Sequence, residues 1–210
     1  MEQAVANRKL RVKSPAPDRD NFPRDDVPKD ALLQDEALQH AGLISEVLGG
    51  GAAAYRVLYD LHMPRIYTFF YWNVKTAAKA EELTQDVFVR AWEKLGQFRF
   101  RSSFSTWLFR IAVNMLKSDY RSRGRDRTGS LAEEETGGGA CESGGIPAAE
   151  VMDLRRAIGL LPEKAGMVLT LYEFENYSHQ EIGEILHISA GTSKAHLHRA
   201  KKLLKKELES

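Results

Sequence analysis

Residues 80–120, AEELTQDVFVRAWEKLGQFRFRSSFSTWLFRIAVNMLKSDY, decide the reading of this chain, because an acidic amphipathic segment there meets a basic, aromatic one through a polar turn. In the first half Leu83, Val87, Ala91 and Leu95 recur every four residues, and Phe88 and Trp92 widen the stripe. That is the period of a helix burying one face. The opposite face carries Glu82, Gln85, Asp86 and Glu93. Two readings of those four stand side by side: a solvated charged face, or a surface that holds a partner protein.

The second half changes character at Phe98. Gly96 can end the first helix, and Gln97-Phe98-Arg99-Phe100-Arg101-Ser102-Ser103-Phe104 then interleaves rings with cations and small hydroxyls. Ser103 or Ser105 caps a second helix whose apolar stripe is Phe104, Leu108, Ile111 and Met115. Arginine neutralises phosphate and an exposed ring stacks on an unpaired base, so the alternation suits single-stranded nucleic acid. The other reading places the three phenylalanines in the core and leaves the arginines solvated.

With 210 residues, 43% hydrophobic and 28% charged, the chain has the balance of a soluble globular protein with room for two small cores. No apolar run reaches the roughly 20 residues that span a bilayer, and no signal-peptide pattern opens the sequence, which predicts a cytoplasmic protein without membrane insertion. The single cysteine, Cys141, has no partner for a disulfide or a thiolate metal cage. Formal net charge is +1, but the signs are segregated. Residues 99–127 hold eight bases against Asp119 and Asp126, residues 128–150 hold five acids and no base, and residues 194–206 hold six bases and no acid. Two basic surfaces separated by an acidic strap point to two nucleic-acid contacts.

Residues 1–29 are polar, proline-containing and aperiodic, and read as a disordered arm. Asp30 can cap a helix whose apolar patch, Leu43, Ile44, Val47 and Leu48, stops at Gly49-Gly50-Gly51. With no Lys-Ser or Lys-Thr after them, those glycines read as a loop and not a phosphate cradle. Residues 52–61 and 64–74 read as two helices, with Pro64 in the first turn of the second. A first helical domain is therefore expected over 30–127, and a flexible Gly-rich, acidic linker over 128–150.

The helical pattern returns in a second domain over 151–210. Leu154, Ile158 and Leu161 mark a helix stopped by Pro162; Met167, Val168, Leu171 and Tyr172 mark the next. Ser178 with Glu181 forms a capping box for a short helix ending at Leu186, and a last helix to about Leu208 buries Leu197, Ala200 and Leu204. A short helix, a tight turn and a longer basic helix make a helix-turn-helix reader, with Thr192, Lys194, Ala195, His196 and Arg199 displayed where base edges and phosphates are reached. The competing reading is a plain helical hairpin with a solvated basic face.

These blocks together resemble the extracytoplasmic-function sigma factors, minimal subunits for bacterial transcription initiation. AEELTQDVFVRAWEKL followed by SSFSTWLFRIAVN is similar to the family's region two, and Leu161-Pro162, YSHQEIGEIL and ISAGTSKAHLHRAKKLL resemble its region four. The resemblance covers about Leu43 to Leu208. It implies an all-α protein of two small helical domains on a flexible joint that binds core RNA polymerase, directs it to promoters and assists melting. It implies that Gln85, Asp86, Val89 and Glu93 face the clamp helices of the largest polymerase subunit. Phe98, Arg99, Phe100, Arg101, Ser102, Ser103 and Phe104, with Trp107, Arg110, Asn114 and Lys117, would meet the minus-ten element and its melted strand. Thr192, Lys194, Ala195, His196 and Arg199 would lie in the major groove at minus-thirty-five, and the apolar surface of the second domain would take the polymerase flap. An anti-sigma factor is a further partner the family implies. Ser193 stands where the family usually has valine, Ala195 where it has serine, His196 where it often has arginine, and His187 replaces a common turn glycine. Those departures bear on the sequence read at minus-thirty-five and leave the fold intact.

No metal or cofactor is expected. His196 and His198, two apart on a helix, point to nearly opposite sides and cannot share an ion. No nucleophile or acid and base constellation is recognisable, so the chain reads as a non-enzyme. The alternative function is a stand-alone helix-turn-helix regulator that uses its first domain for dimerisation or sensing. Such a regulator has no need of an acidic face beside an aromatic, basic turn.

Overall fold

A computed structural model describes residues 29–125 and 148–209. Among them are eight α-helices and no strand. The first domain contains α1 (Lys29–Leu48), α2 (Ala52–Asn73), α3 (Ala77–Lys94) and α4 (Phe104–Arg125). The second contains α5 (Ala148–Gly159), α6 (Glu163–Glu173), α7 (His179–Leu186) and α8 (Ala190–Leu208). The arm before Lys29 and the linker from 126 to 147 lie outside the described residues, and α5 begins inside the stretch expected to be linker.

Side-chain caps set the starts of four helices among the described residues. Thr76 accepts a hydrogen bond from the Lys79 amide at the start of α3, and Ser103, not Ser105, accepts from the Thr106 amide at the start of α4. Each satisfies an amide that the first turn leaves without a partner. The capping box of Ser178 and Glu181 is present in full, and Ser189 caps α8.

One expectation is corrected. Residues 52–73 form a single helix that runs through Pro64. A proline in a helix interior costs about 3 kcal/mol, yet Leu58 on one side and Ile66, Phe69 and Phe70 on the other are completely buried. Each such side chain returns roughly 1.5–3 kcal/mol, so packing outweighs the break.

The two domains do not keep separate cores. Their buried side chains form one continuous cluster, with Trp72 stacked on Phe174 at 4.6 Å and Phe109 edge-on to Tyr177 at 5.2 Å. Arg155 of α5 reaches across to donate to the backbone carbonyls of Tyr71, Val74 and Lys75, which follow or end α2 and have no helical partner. Asn73 donates to Thr170, and the hydroxyls of Ser105 and Tyr177 bond at 2.7 Å.

Candidate nucleic-acid interface

Between α3 and α4 the chain makes a 3-10 turn over Leu95–Gln97, is extended at Phe98 and bends through residues 100–102. Its three phenylalanines divide. Phe98 and Phe104 are 9% and 2% exposed, so they belong to the core and carry the turn; Phe100 is 54% exposed. Phe100 also adopts a positive φ of 55°, a left-handed conformation that costs a non-glycine residue about 1–3 kcal/mol and collects at functional sites. Its ring rests on Phe98 at 4.7 Å, while Phe98 contacts Trp107 at 5.3 Å. Arg99 and Arg101 flank it in solvent, and the exposed Ser103 caps α4.

Along α4, Trp107 is half-buried, Asn114 is exposed, and Arg110 donates to Glu184 of α7 at 3.3 Å. Lys117 is half-buried; burial, Lys164 and Arg121 together lower its pKa. Part of the basic face of the first domain is thus engaged by the second.

On α3, Gln85, Asp86, Val89 and Glu93 are all exposed, Val89 at 60%, with Glu93 salt-bridged to Arg90. Gln85 and Val89 line an apolar groove of about 370 Å³ with Phe88, Trp92, Tyr55 and Tyr59. Sequence reasoning missed part of this groove, since it placed Trp92 in the buried stripe and did not single out Tyr55. The i, i+4 pair Tyr55 and Tyr59 on α2 was the available signal. Tyr55 donates its hydroxyl to the Phe88 carbonyl, and burial pushes its pKa up to about 12, so it stays a donor.

In the second domain Gly183 packs so closely on the turn after α7 that a Cβ there would lie 2.7 Å from the Ile188 carbonyl oxygen. His187 ends α7 at φ 58°, supplying the left-handed residue usually given to glycine. The turn delivers α8 with Thr192, Lys194, Ala195 and Arg199 exposed and His196 half-buried. Ser193 is buried and bonds His179 Nδ1 at 2.9 Å, and His179 stacks on Tyr172. Ser193 is therefore a helix-to-helix contact. Burial, Lys164 and Arg199 lower the pKa of His196, which leaves its imidazole neutral near pH 7.

Among the described residues no three histidine, cysteine or acidic side chains gather into a metal site, and no helix is long and apolar enough to cross a membrane.

A helical domain with a displayed aromatic turn, joined to a helix-turn-helix domain, defines a DNA-binding transcription factor with two contact modules. The Sigma-70 region 2 family model matches residues 58–126 and the Sigma-70 region 4 family model matches residues 152–204. RNA polymerase sigma-H factor of Pseudomonas aeruginosa is 30% identical over 182 residues, covering 81% of this chain and 94% of the relative. The extracytoplasmic-function sigma factor SigW of Bacillus subtilis is 31% identical over 176 residues, covering 79% and 94%. The sigma factor RpoE from Bartonella quintana, solved with the anti-sigma factor NepR, matches with TM-score 0.64 and 25% identity over 74% of this chain and 96% of that one. CnrH, solved with the cytosolic domain of CnrY, shares the fold with TM-score 0.63 at 22% identity, over 83% of this chain and 97% of that one. The chain belongs to the extracytoplasmic-function sigma factors, which direct RNA polymerase to promoters.

Proposed function

We propose that the exposed face of α3 and the groove beside it seat the chain on the polymerase clamp helices, that Phe100 captures a base leaving the minus-ten stack, and that the start of α8 reads minus-thirty-five. The observation that carries this is Phe100 itself. A ring 54% exposed, held in a left-handed backbone on a floor of buried rings and flanked by two arginines, serves no packing need. A base stacked on such a ring returns about 1–3 kcal/mol, comparable to the cost of unstacking it.

The chain supplies recognition and melting, the polymerase supplies the chemistry, and both act in the bacterial cytoplasm. Likeness to an RpoE solved with an anti-sigma factor supports an inhibitor of that kind as a partner. The test is run-off transcription with core polymerase on a library of promoter fragments, comparing wild type with Phe100→Ala/Arg101→Ala. Duplex templates should open slowly with the variant, and templates already mismatched at minus-ten should be transcribed normally. Equal impairment on both would remove the melting role.

A further inference from the structure

Beneath the turn lies a pair of imidazoles that neither the groove nor the basic surfaces use. His40 of α1 and His62 of α2 are 4% and 3% exposed, and their Nε2 atoms stand 3.1 Å apart. One nitrogen donates and the other accepts, so the bond requires the two rings in complementary roles. Both rings lie against Phe104, with centroids 5.7 Å and 5.2 Å away. Phe104 meets Phe98 edge-on at 5.8 Å and Trp107 at 5.6 Å, and Phe98 carries Phe100 at 4.7 Å. An unbroken line of rings thus runs from the buried imidazoles to the exposed phenylalanine.

Leucine would fill the same space without polar atoms to satisfy. What two histidines add is a directional bond that fixes α1 on α2 in one register under Phe104. We propose that His40 and His62 are positioning residues for promoter opening: their mutual bond holds the Phe104 ring and, through Phe98, sets where Phe100 meets an unstacked base. The inference rests on the reading of Phe100 as the base-capturing ring. Only with a proton on each imidazole are both facing nitrogens donors and the bond broken. The titratable and charged groups facing His62 are His40 from α1 and Arg65 from α2 itself, both of which oppose a proton there, while α4 presents the uncharged Phe104.

The test uses the full chain with core polymerase on a duplex promoter fragment chosen by run-off from a genomic library. Each opening rate is divided by the rate on the same fragment mismatched at minus-ten, at the same pH. His62→Leu loses the bond to His40 and should slow relative opening about fivefold or more at neutral pH, with core binding unchanged. His62→Gln keeps one donor and one acceptor at its tip, so it can pair with His40 in either protonation state. It should open within about twofold of wild type at neutral pH. Should His62→Leu fail to fold, His62→Phe, which keeps a ring against Phe104 without a donor or an acceptor, decides in its place. Wild-type opening by His62→Leu, or opening by His62→Gln as slow as that of His62→Leu, overturns the positioning role. Phe100→Ala separates the two failures: normal opening by that variant sinks the base-capture reading, whereas slow opening beside a normal His62→Leu sinks only the histidine pair.

Discussion

The guanidinium of Arg65 donates from Nε to Glu175 at 2.9 Å, although 110 positions separate the two residues. The same guanidinium donates to the Glu175 carbonyl and to Ser105, and lies over the rings of Phe109 and Tyr177. Glu175 is buried, with its side chain 3% exposed, and Arg65 seals the pair at 39%. The latch ties α2 to the turn after α6, and so the first domain to the second. The promoter elements lie about 25 base pairs apart, roughly 85 Å at 3.4 Å per pair. A compact body of 210 residues has a radius of gyration of about 17 Å. The proposed placement of Phe100 at minus-ten and α8 at minus-thirty-five would therefore require this interface to open.

Arg65→Ala is expected to leave a buried carboxylate unpaired and to weaken the closed arrangement by up to about 3 kcal/mol, discounted for the exposure of Arg65. Small-angle scattering should show a larger radius of gyration at unchanged helical content. An unchanged radius would count against the latch.

Stability should fall on mild acidification. Burial, His40 and Arg65 hold His62 down to about 3. Below about 6.5 the unfolded chain therefore binds a proton that the folded one refuses, and stability drops as pH falls from about 6.5 towards 3, by up to about 1.4 kcal/mol per unit. Glu175 works in the opposite sense. Burial raises its pKa and Arg65 offsets that only in part, so its contribution is present below the unfolded carboxylate value and lost as pH rises through the folded one. The melting temperature should thus fall between about pH 6.5 and 5, and His62→Gln should flatten that fall. A wild-type melting temperature constant over this range would show that His62 is not held neutral.

Val89→Asp and Asp86→Arg change an exposed face and should leave stability within about 0.5 kcal/mol of wild type. Co-purification with core polymerase should weaken about tenfold or more, the equivalent of about 1.4 kcal/mol. Undiminished association would move the polymerase contact off α3.

His187 occupies a backbone conformation that costs an L residue roughly 1–2 kcal/mol. His187→Gly should relieve part of that and raise the unfolding free energy by up to about 1 kcal/mol, since glycine loses more entropy on folding. Gly183→Ala should destabilise by about 1–3 kcal/mol, because its Cβ would press on the Ile188 carbonyl. Urea titrations of both variants would show whether the signs are opposite.

Arg199→Ala should reduce affinity for a minus-thirty-five duplex and lower the salt slope by about 0.9 if the contact is to phosphate. His196→Ala should leave that slope unchanged, because its imidazole is neutral near pH 7. A slope that drops for His196→Ala would show a charged histidine in the groove.

What the sequence determined by itself was everything carried by spacing within a turn or two of helix. Leu83, Val87 and Ala91 in α3, and Leu197, Ala200 and Leu204 in α8, are buried as their period requires. Ser178 with Glu181 marked the start of α7. The tertiary structure alone decided which of Phe98, Phe100 and Phe104 stays outside, because neighbours in a turn share composition and differ only in what packs behind them. It also decided that α2 continues through Pro64, where burial on both sides exceeds the local penalty. Tyr55 joined the α3 groove through a contact 33 residues away, and Arg65 found Glu175 across 110. Pairings at such separations follow from how helices stack, and no periodicity within either segment encodes them.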